Sequence, residues 1–280
     1  MMERTAEHGQ NVLKYTGIDV MNWRYAIQEW RGLKLPHFVV IGAQKAGTTS
    51  VHEWLLHHPN VYVPATKETH YFTLFFDQPV RWYADHYEGS RPGQLRGDIT
   101  PYYAFHPHAA ARIAALIPTV RLVYLVRDPV ERAISQYYHE IRRGKESLSI
   151  EDALAAESER LSGALERLRI PGSRDQAHQS NSYVARSRYE QHILHYRRYF
   201  HADQLLVLRS EDLFANDPRA WQRLLHHIGA PMTSLERAVP QANAGQGEHS
   251  NVSQTTRDAL RATLDPTYQW MVNEYGIQWQ

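Results

Sequence analysis

Phe38-Val39-Val40-Ile41-Gly42-Ala43-Gln44-Lys45-Ala46-Gly47-Thr48-Thr49-Ser50 joins an apolar strand to a helix through a loop suited to an anion. Four β-forming residues stop at Gly42. A short loop then carries Lys45, Gly47 and three hydroxyl residues, and a helical pattern opens with Val51, Trp54 and Leu55 on one face. Free backbone N–H groups and the positive end of the helix dipole both point at such a loop. A Walker A loop reads G-x-x-x-x-G-K-[ST], with the lysine after the second glycine. Here Lys45 precedes Gly47, so the lysine lies on the strand side of the loop. From there it reaches across to a group being transferred, while the Gly47–Ser50 amides hold a phosphate. The alternative is a plain strand-to-helix turn, but few such turns combine a fully apolar strand with lysine, glycine and three hydroxyls.

The rest of the chain alternates in the same way. Val51–His58 reads as a short helix stopped by Pro59. Val61–Val63 and His70–Phe72 read as short extended pieces, and Pro107–Ile117 as a helix with Pro107 in its first turn. Arg121–Val126 is a β-rich run expected to be buried on both faces. Pro129–Arg143 carries Val130, Ala133, Ile134, Tyr137, Tyr138 and Ile141 along one side of a helix. Ser149-Ile150-Glu151-Asp152 resembles a capping box. Residues 163–185 are loop-rich, Arg188–Phe200 is helical, and Gln204–Leu208 is a third core strand. Asp217 and Pro218 start a helix that Gly229 ends, and residues 240–250 form a loop. Ser253–Leu264 and Thr267–Tyr275 close the chain as two helices. Strands alternating with helices predict an α/β fold: a single domain with a P-loop-NTPase-like central parallel β-sheet flanked by helices on both faces. A polar lead-in over residues 1–35, with scattered aromatics, is expected to pack on it as a helix or two.

Composition narrows the function. A chain of 280 residues can build one sizeable core. Its net charge of +1 gives no strong field for nucleic acid or anionic membrane. With no cysteine there is no disulfide framework, zinc-thiolate site or thiol nucleophile. Met1–Gln10 is polar, without the apolar core of a signal peptide, and no apolar run approaches the ~20 residues of a membrane span. The expectation is a cytoplasmic enzyme with no membrane insertion and no nucleic-acid partner.

Leu122-Val123-Tyr124-Leu125-Val126-Arg127-Asp128-Pro129 repeats the logic of the first loop. A buried strand ends in a charged pair and a proline-led helix follows. Ligands of open α/β sheets bind beyond the carboxyl ends of the strands, where both loops fall. Arg127 is placed to fork onto a phosphate, Ser135 adds a hydroxyl, and His139 follows one turn later on the same polar face. A ligand phosphorylated at two places needs two such loops.

Together these residues resemble the sulfotransferases that use 3′-phosphoadenosine 5′-phosphosulfate (PAPS), and the heparan-sulfate-type and bacterial branch more than the steroid and phenol branch. Gln44–Ser50 looks like the family's 5′-phosphosulfate loop, and Arg127 through Ser135 like its 3′-phosphate motif. Lys67-Glu68-Thr69-His70-Tyr71-Phe72 is similar to the segment that carries its catalytic glutamate. Gly97–Tyr102 and Gln204–Leu213 match two further blocks. The resemblance runs from about Pro36 to Trp279 and is weakest over Gly144–Tyr183. It implies a sulfotransferase domain over residues 36–280, with 144–185 as an acceptor-side insertion. It also implies roles. Lys45 would bind the bridging oxygen. Ala46, Gly47, Thr48, Thr49 and Ser50 would hold the 5′-phosphate, and Arg127 and Ser135 the 3′-phosphate. Glu68 would be the general base on a small-molecule or glycan acceptor, with His139 and His70 in auxiliary catalytic roles. The implied cofactor is PAPS, with product PAP and no metal. Two positions depart from the family pattern. Ile99 stands where some glycan sulfotransferases carry a lysine, which makes Lys67 a candidate substitute. The late loop Asn243–His249 has glycines but no lysine or arginine, and Arg257 is the nearest cation.

The chemistry agrees with these residue types. Sulfuryl transfer, like phosphoryl transfer, moves charge onto a leaving phosphate oxygen, which a lysine and helix-terminal amides stabilise. The threonine and aromatic neighbours of Glu68 predict a raised pKa. A P-loop kinase using ATP and Mg²⁺ is the rival. The lysine-before-glycine order weighs against it, and Asp128 is its one obvious metal carboxylate.

Overall fold

The computed structural model describes residues 32–215, 218–233 and 251–279. Among them, β1 (Phe38–Gly42), β2 (Val61–Tyr62), β3 (Leu95–Ile99), β4 (Arg121–Val126) and β5 (Leu205–Arg209) form one sheet in the order β2-β3-β1-β4-β5. Every pairing is parallel. The helices are α1 (Thr48–Leu56), α2 (Val80–Asp85), α3 (Ala109–Leu116), α4 (Pro129–Arg142), α5 (Ile150–Leu161), α6 (Ala164–Arg167), α7 (Gln176–Ser180), α8 (Tyr189–Tyr196), α9 (Ser210–Phe214), α10 (Pro218–Ile228) and α11 (Gln254–Tyr275).

β1 is buried along its whole length and β4 from Leu122 onward. Successive strand residues face opposite sides, so both faces of the sheet are covered, and these runs lack polar alternation for that reason. A second apolar cluster lies between α4, α5 and α11, where Val130, Ile134 and Tyr137 meet Ile150, Ala153, Leu260, Leu264 and Tyr268. β3 and β2 extend from one side of β1, and β4 and β5 from the other. The loops after β1 and β4 therefore flank the point where strand order reverses, which is where open α/β sheets bind ligands.

Four expectations change. β3 has no apolar run, yet Leu95-Arg96-Gly97-Asp98-Ile99 is a strand between β1 and β2. Gly97 makes this possible, because a Cβ there would fall 2.1 Å from the Phe38 ring of β1. His70–Phe72 is turn rather than extended, since the His70 carbonyl collects the N–H groups of Thr73 and Phe75. Pro107 lies in the turn before α3, not in its first turn. The two closing helices are one, α11, with Pro266 inside it. Leu260, Leu264, Thr267, Tyr268 and Met271 are buried on both sides of that proline, and their packing holds the helix through the lost backbone bond. The expected helical lead-in lies mostly outside the described residues, as do Asp217 and the 243–249 loop.

Candidate active site

The loop after β1 is held by its neighbours. Ala43 N–H bonds to Leu125 O of β4, and Ala104 N–H bonds to Ile41 O. Gly47 is the N-cap of α1 at φ 85°, with no side chain to cap the first turn. A Cβ there would meet the Phe214 ring at 2.6 Å, so both its backbone and its surroundings require glycine. Among the described residues, no side chain caps the first turn of α1, and the buried Ser50 hydroxyl has no partner either. This is the donor set an anion would satisfy.

The loop after β4 is fixed as firmly. Asp128 caps α4 by accepting from Glu131 N–H at 2.9 Å, and it also accepts from the Tyr268 hydroxyl at 2.8 Å. Its own N–H bonds to Glu211 Oε1, and Tyr189 donates to Arg127 O. The carboxylate a kinase would aim at a metal is thus engaged in capping. Arg127 Nη1 lies 3.4 Å from Lys45 O, so the two loops touch.

Both loops open on one cavity of about 610 Å³. Lys45, Ala46, Gly47, Thr48, Thr49 and Ser50 line one part, and Arg127, Ser135 and His139 another. Glu68 and Lys67 are on its wall. His70 is not among the lining residues. It stands behind the carboxylate, with Nε2 3.3 Å from Glu68 Oε2. Sequence reasoning gave no role to Gln44, Pro101, Glu131, Ser210, Glu211, Phe214 or Ala215, which also line the cavity. Ser210–Ala215 follow β5 just as Lys45 follows β1, so the carboxyl-end rule applied to the third strand would have found them. Gln44 is fixed by Arg186, whose Nη1 donates to its Oε1. Arg257 pairs with Glu131 at the rim.

Electrostatics tune these groups. Burial, then the charges of Arg142 and Arg127, bring Lys45 down to about 8. Burial, then Lys45 and the arginines at the end of α4, bring His139 to about 4, so its imidazole is neutral at physiological pH. Glu68 corrects an expectation. Burial alone pushes its carboxyl up, but the hydrogen bond with His70 and the charge and hydrogen bond of Lys67 outweigh it and hold it at about 2. The neighbours that matter are the Lys67 ammonium and the His70 ring, not the threonine and the aromatics of the same segment. Lys67 Nζ donates to Glu68 Oε1 at 2.9 Å and reaches Thr49 Oγ1 at 3.1 Å and Thr48 Oγ1 at 3.3 Å, which ties the carboxylate to the first turn of α1. Among the described residues, three non-glycine residues have positive φ: Lys45 at 71°, Glu68 at 68° and His70 at 53°. All three belong to this site, where backbone strain is often concentrated.

Such a parallel sheet, with a loop of lysine, glycine and hydroxyl residues at its switch point, defines an α/β fold of the P-loop-like kind. The sequence model of the sulfotransferase domain matches residues 35–262, and the chain belongs to the sulfotransferase family. It is similar to heparan sulfate glucosamine 3-O-sulfotransferase 3B1 of Homo sapiens, 29% identical over 196 residues, which are 70% of this chain and 46% of that protein. It is also similar to the membrane-associated sulfotransferase kil1 of Dictyostelium discoideum, 38% identical over 117 residues, 41% of this chain and 25% of that protein. The chain thus spans less than half the length of either relative. Among solved structures it resembles a sulfotransferase from Alicyclobacillus acidocaldarius with a TM-score of 0.69 at 24% identity, over 88% of this chain and 97% of that one. A mouse sulfotransferase complexed with PAP superposes with a TM-score of 0.50 at 11% identity, over 86% of each chain. These two likenesses are of fold. No helix among the described residues is long and apolar enough to cross a membrane.

Proposed function

We propose that this chain transfers a sulfuryl group from PAPS to a hydroxyl or amine of an acceptor by in-line displacement, with Glu68 as general base. One observation carries the reading: the two loops that bear Lys45 and Arg127 face the same cavity as the Glu68 carboxylate. The donor set fits a ligand with two phosphate groups. The N–H groups at the start of α1, with the Thr48, Thr49 and Ser50 hydroxyls, would hold the 5′-phosphate. Arg127 and Ser135 would hold the 3′-phosphate.

When bound, the nucleotide supplies a sulfuryl group on a phosphate leaving group. Lys45 neutralises charge that grows on the leaving oxygen, and the α1 dipole adds to it. Glu68 takes the proton of the acceptor. A carboxylate at about 2 is a weak base, yet it suffices where proton transfer comes late. In a loose transition state the acceptor hydroxyl becomes strongly acidic only as its bond to sulfur forms. Lys67 and His70 orient the carboxylate meanwhile. Neutral His139 faces the same cavity and serves as a hydrogen-bond partner for the transferred group.

A glycan hydroxyl is the acceptor class favoured, because relatives that align over most of this chain act on heparan sulfate glucosamine. Residues 144–185 are proposed to contact it. They end beside Arg186, whose guanidinium lies over the Tyr102 and Phe105 rings and bonds Gln44 at the cavity. The test is a thermal-shift comparison of PAP with ATP–Mg²⁺, followed by transfer of labelled sulfate from PAPS to a glycan panel. Stabilisation by PAP and label transfer support the reading. Stabilisation by ATP–Mg²⁺ alone overturns it in favour of a kinase-like enzyme.

A further inference from the structure

We propose that Asp98 is a positioning residue for Glu68, acting through the hydroxyl of Thr69. The inference rests on the reading of Glu68 as the base. Asp98 sits in β3, buried completely, and faces no cation among its hydrogen-bond partners. Its carboxylate is met by four hydroxyls instead. Oδ2 accepts from Thr69 at 2.8 Å, Tyr83 at 2.8 Å and Tyr103 at 2.9 Å, and Oδ1 accepts from Thr100 at 2.7 Å. Burial, then the charge of Asp98, pushes the Tyr83 and Tyr103 hydroxyls well above the usual range, so both stay protonated and able to donate.

Thr69 is the one member of this cluster on the base segment, and it lies between the two left-handed residues Glu68 and His70. L-residues avoid that conformation at a cost of about 1–2 kcal/mol each. Two left-handed residues flanking a threonine therefore hold only if the surroundings over-determine them. The segment is pinned at two points. The Thr69 hydroxyl is held by Asp98 and lies 3.0 Å from the Tyr103 hydroxyl. The His70 carbonyl collects the Thr73 and Phe75 N–H groups and the Thr73 hydroxyl. The second pin fixes where the segment ends, and the first fixes the residue next to the base. Without it Glu68 can relax to an ordinary backbone conformation, which turns its carboxylate away from the cavity and from Lys67. A buried acid in a short strand thereby has a reason to be there.

The experiment compares Thr69→Val, which keeps the shape and loses the hydroxyl, with Thr69→Ser, which keeps the hydroxyl. kcat, acceptor KM and PAP affinity are measured for each. The expected result is a kcat lowered roughly 10- to 100-fold in Thr69→Val, the scale of about 1 Å of misplacement. PAP affinity stays at wild type, and Thr69→Ser restores kcat. Asp98→Asn, if it folds, behaves like Thr69→Val. A merely structural cluster would lower melting temperature without this split. Glu68→Gln run alongside separates the two possible failures. If it keeps wild-type kcat, the base reading falls and this one with it. If it loses activity while Thr69→Val loses none, this inference alone is overturned.

Discussion

Raising the pH above 8 should loosen the hold on a phosphate ligand, because Lys45 loses its charge there. Burial and the neighbouring arginines bring its ammonium to about 8 from an ordinary value of 10.5. In the free protein Lys45 is then about 90% charged at pH 7 and about 10% charged at pH 9. A bound phosphate favours the ammonium form and pulls its pKa back up. The free protein must therefore take up a proton to bind, and affinity falls as pH rises. If the ligand restores the ordinary value, affinity for adenosine 3′,5′-bisphosphate drops roughly tenfold between pH 7 and pH 9. Near pH 8.5 about 0.7 proton enters per ligand bound, from the same titration. The ligand's own phosphates are already ionised in this range and do not imitate the effect. Calorimetry in buffers of different ionisation enthalpy reads both quantities. Lys45→Met should bind roughly 10- to 150-fold more weakly at pH 7, the scale of a hydrogen bond to a charged group, and its affinity should be flat with pH. A wild-type affinity that stays level to pH 9.5, with no proton uptake, would refute the reasoning.

Three other outcomes are expected. Arg127→Ala should weaken binding of the bisphosphate by about 1.5–3 kcal/mol but leave adenosine 5′-phosphate nearly unaffected, and calorimetry with both nucleotides checks this. Gly47→Ala should cost about 1–2 kcal/mol for its left-handed backbone alone, plus the clash with Phe214 at 2.6 Å. Chemical denaturation in wild-type and Phe214→Ala backgrounds separates the two terms. His178 and His192 are held at about 3 against an ordinary 6.5, by burial first and then by Arg186 and Arg132 respectively. Unfolded histidines bind the proton that the folded ones refuse, so stability is intact above pH 6.5 and declines as pH falls toward 3. At pH 5 each contributes roughly 2 kcal/mol of loss, and urea melts at pH 7.5 and pH 5 that coincide would contradict this.

Much of the fold was legible because β1, β4 and β5 are covered on both faces and so read as apolar runs. β3 was hidden for a physical reason. Its Asp98 accepts hydrogen bonds from the Thr69 and Tyr83 hydroxyls, distant in the chain, and its Gly97 leaves room for a ring of β1. That the loops after β1 and β4 share one cavity was legible, because both follow buried strands whose carboxyl ends lie on one edge of the sheet. The state of Glu68 was not, since it depends on where the Lys67 ammonium and His70 ring turn, which a left-handed backbone decides. Ser210 and Glu211 fell within a matched block without a role, and Phe214 and Ala215 were missed because an apolar wall carries no chemical mark in the chain. Pro266 misled for the opposite reason: a local breaker yields when packing on both sides of it is strong.

One cavity is proposed to grip both phosphates of one nucleotide. A crystal structure with adenosine 3′,5′-bisphosphate tests it most directly. The 5′-phosphate is expected on the Gly47–Ser50 amides beside Lys45, and the 3′-phosphate between Arg127 and Ser135. A nucleotide bound elsewhere, or with Arg127 and Ser135 touching neither phosphate, would contradict it.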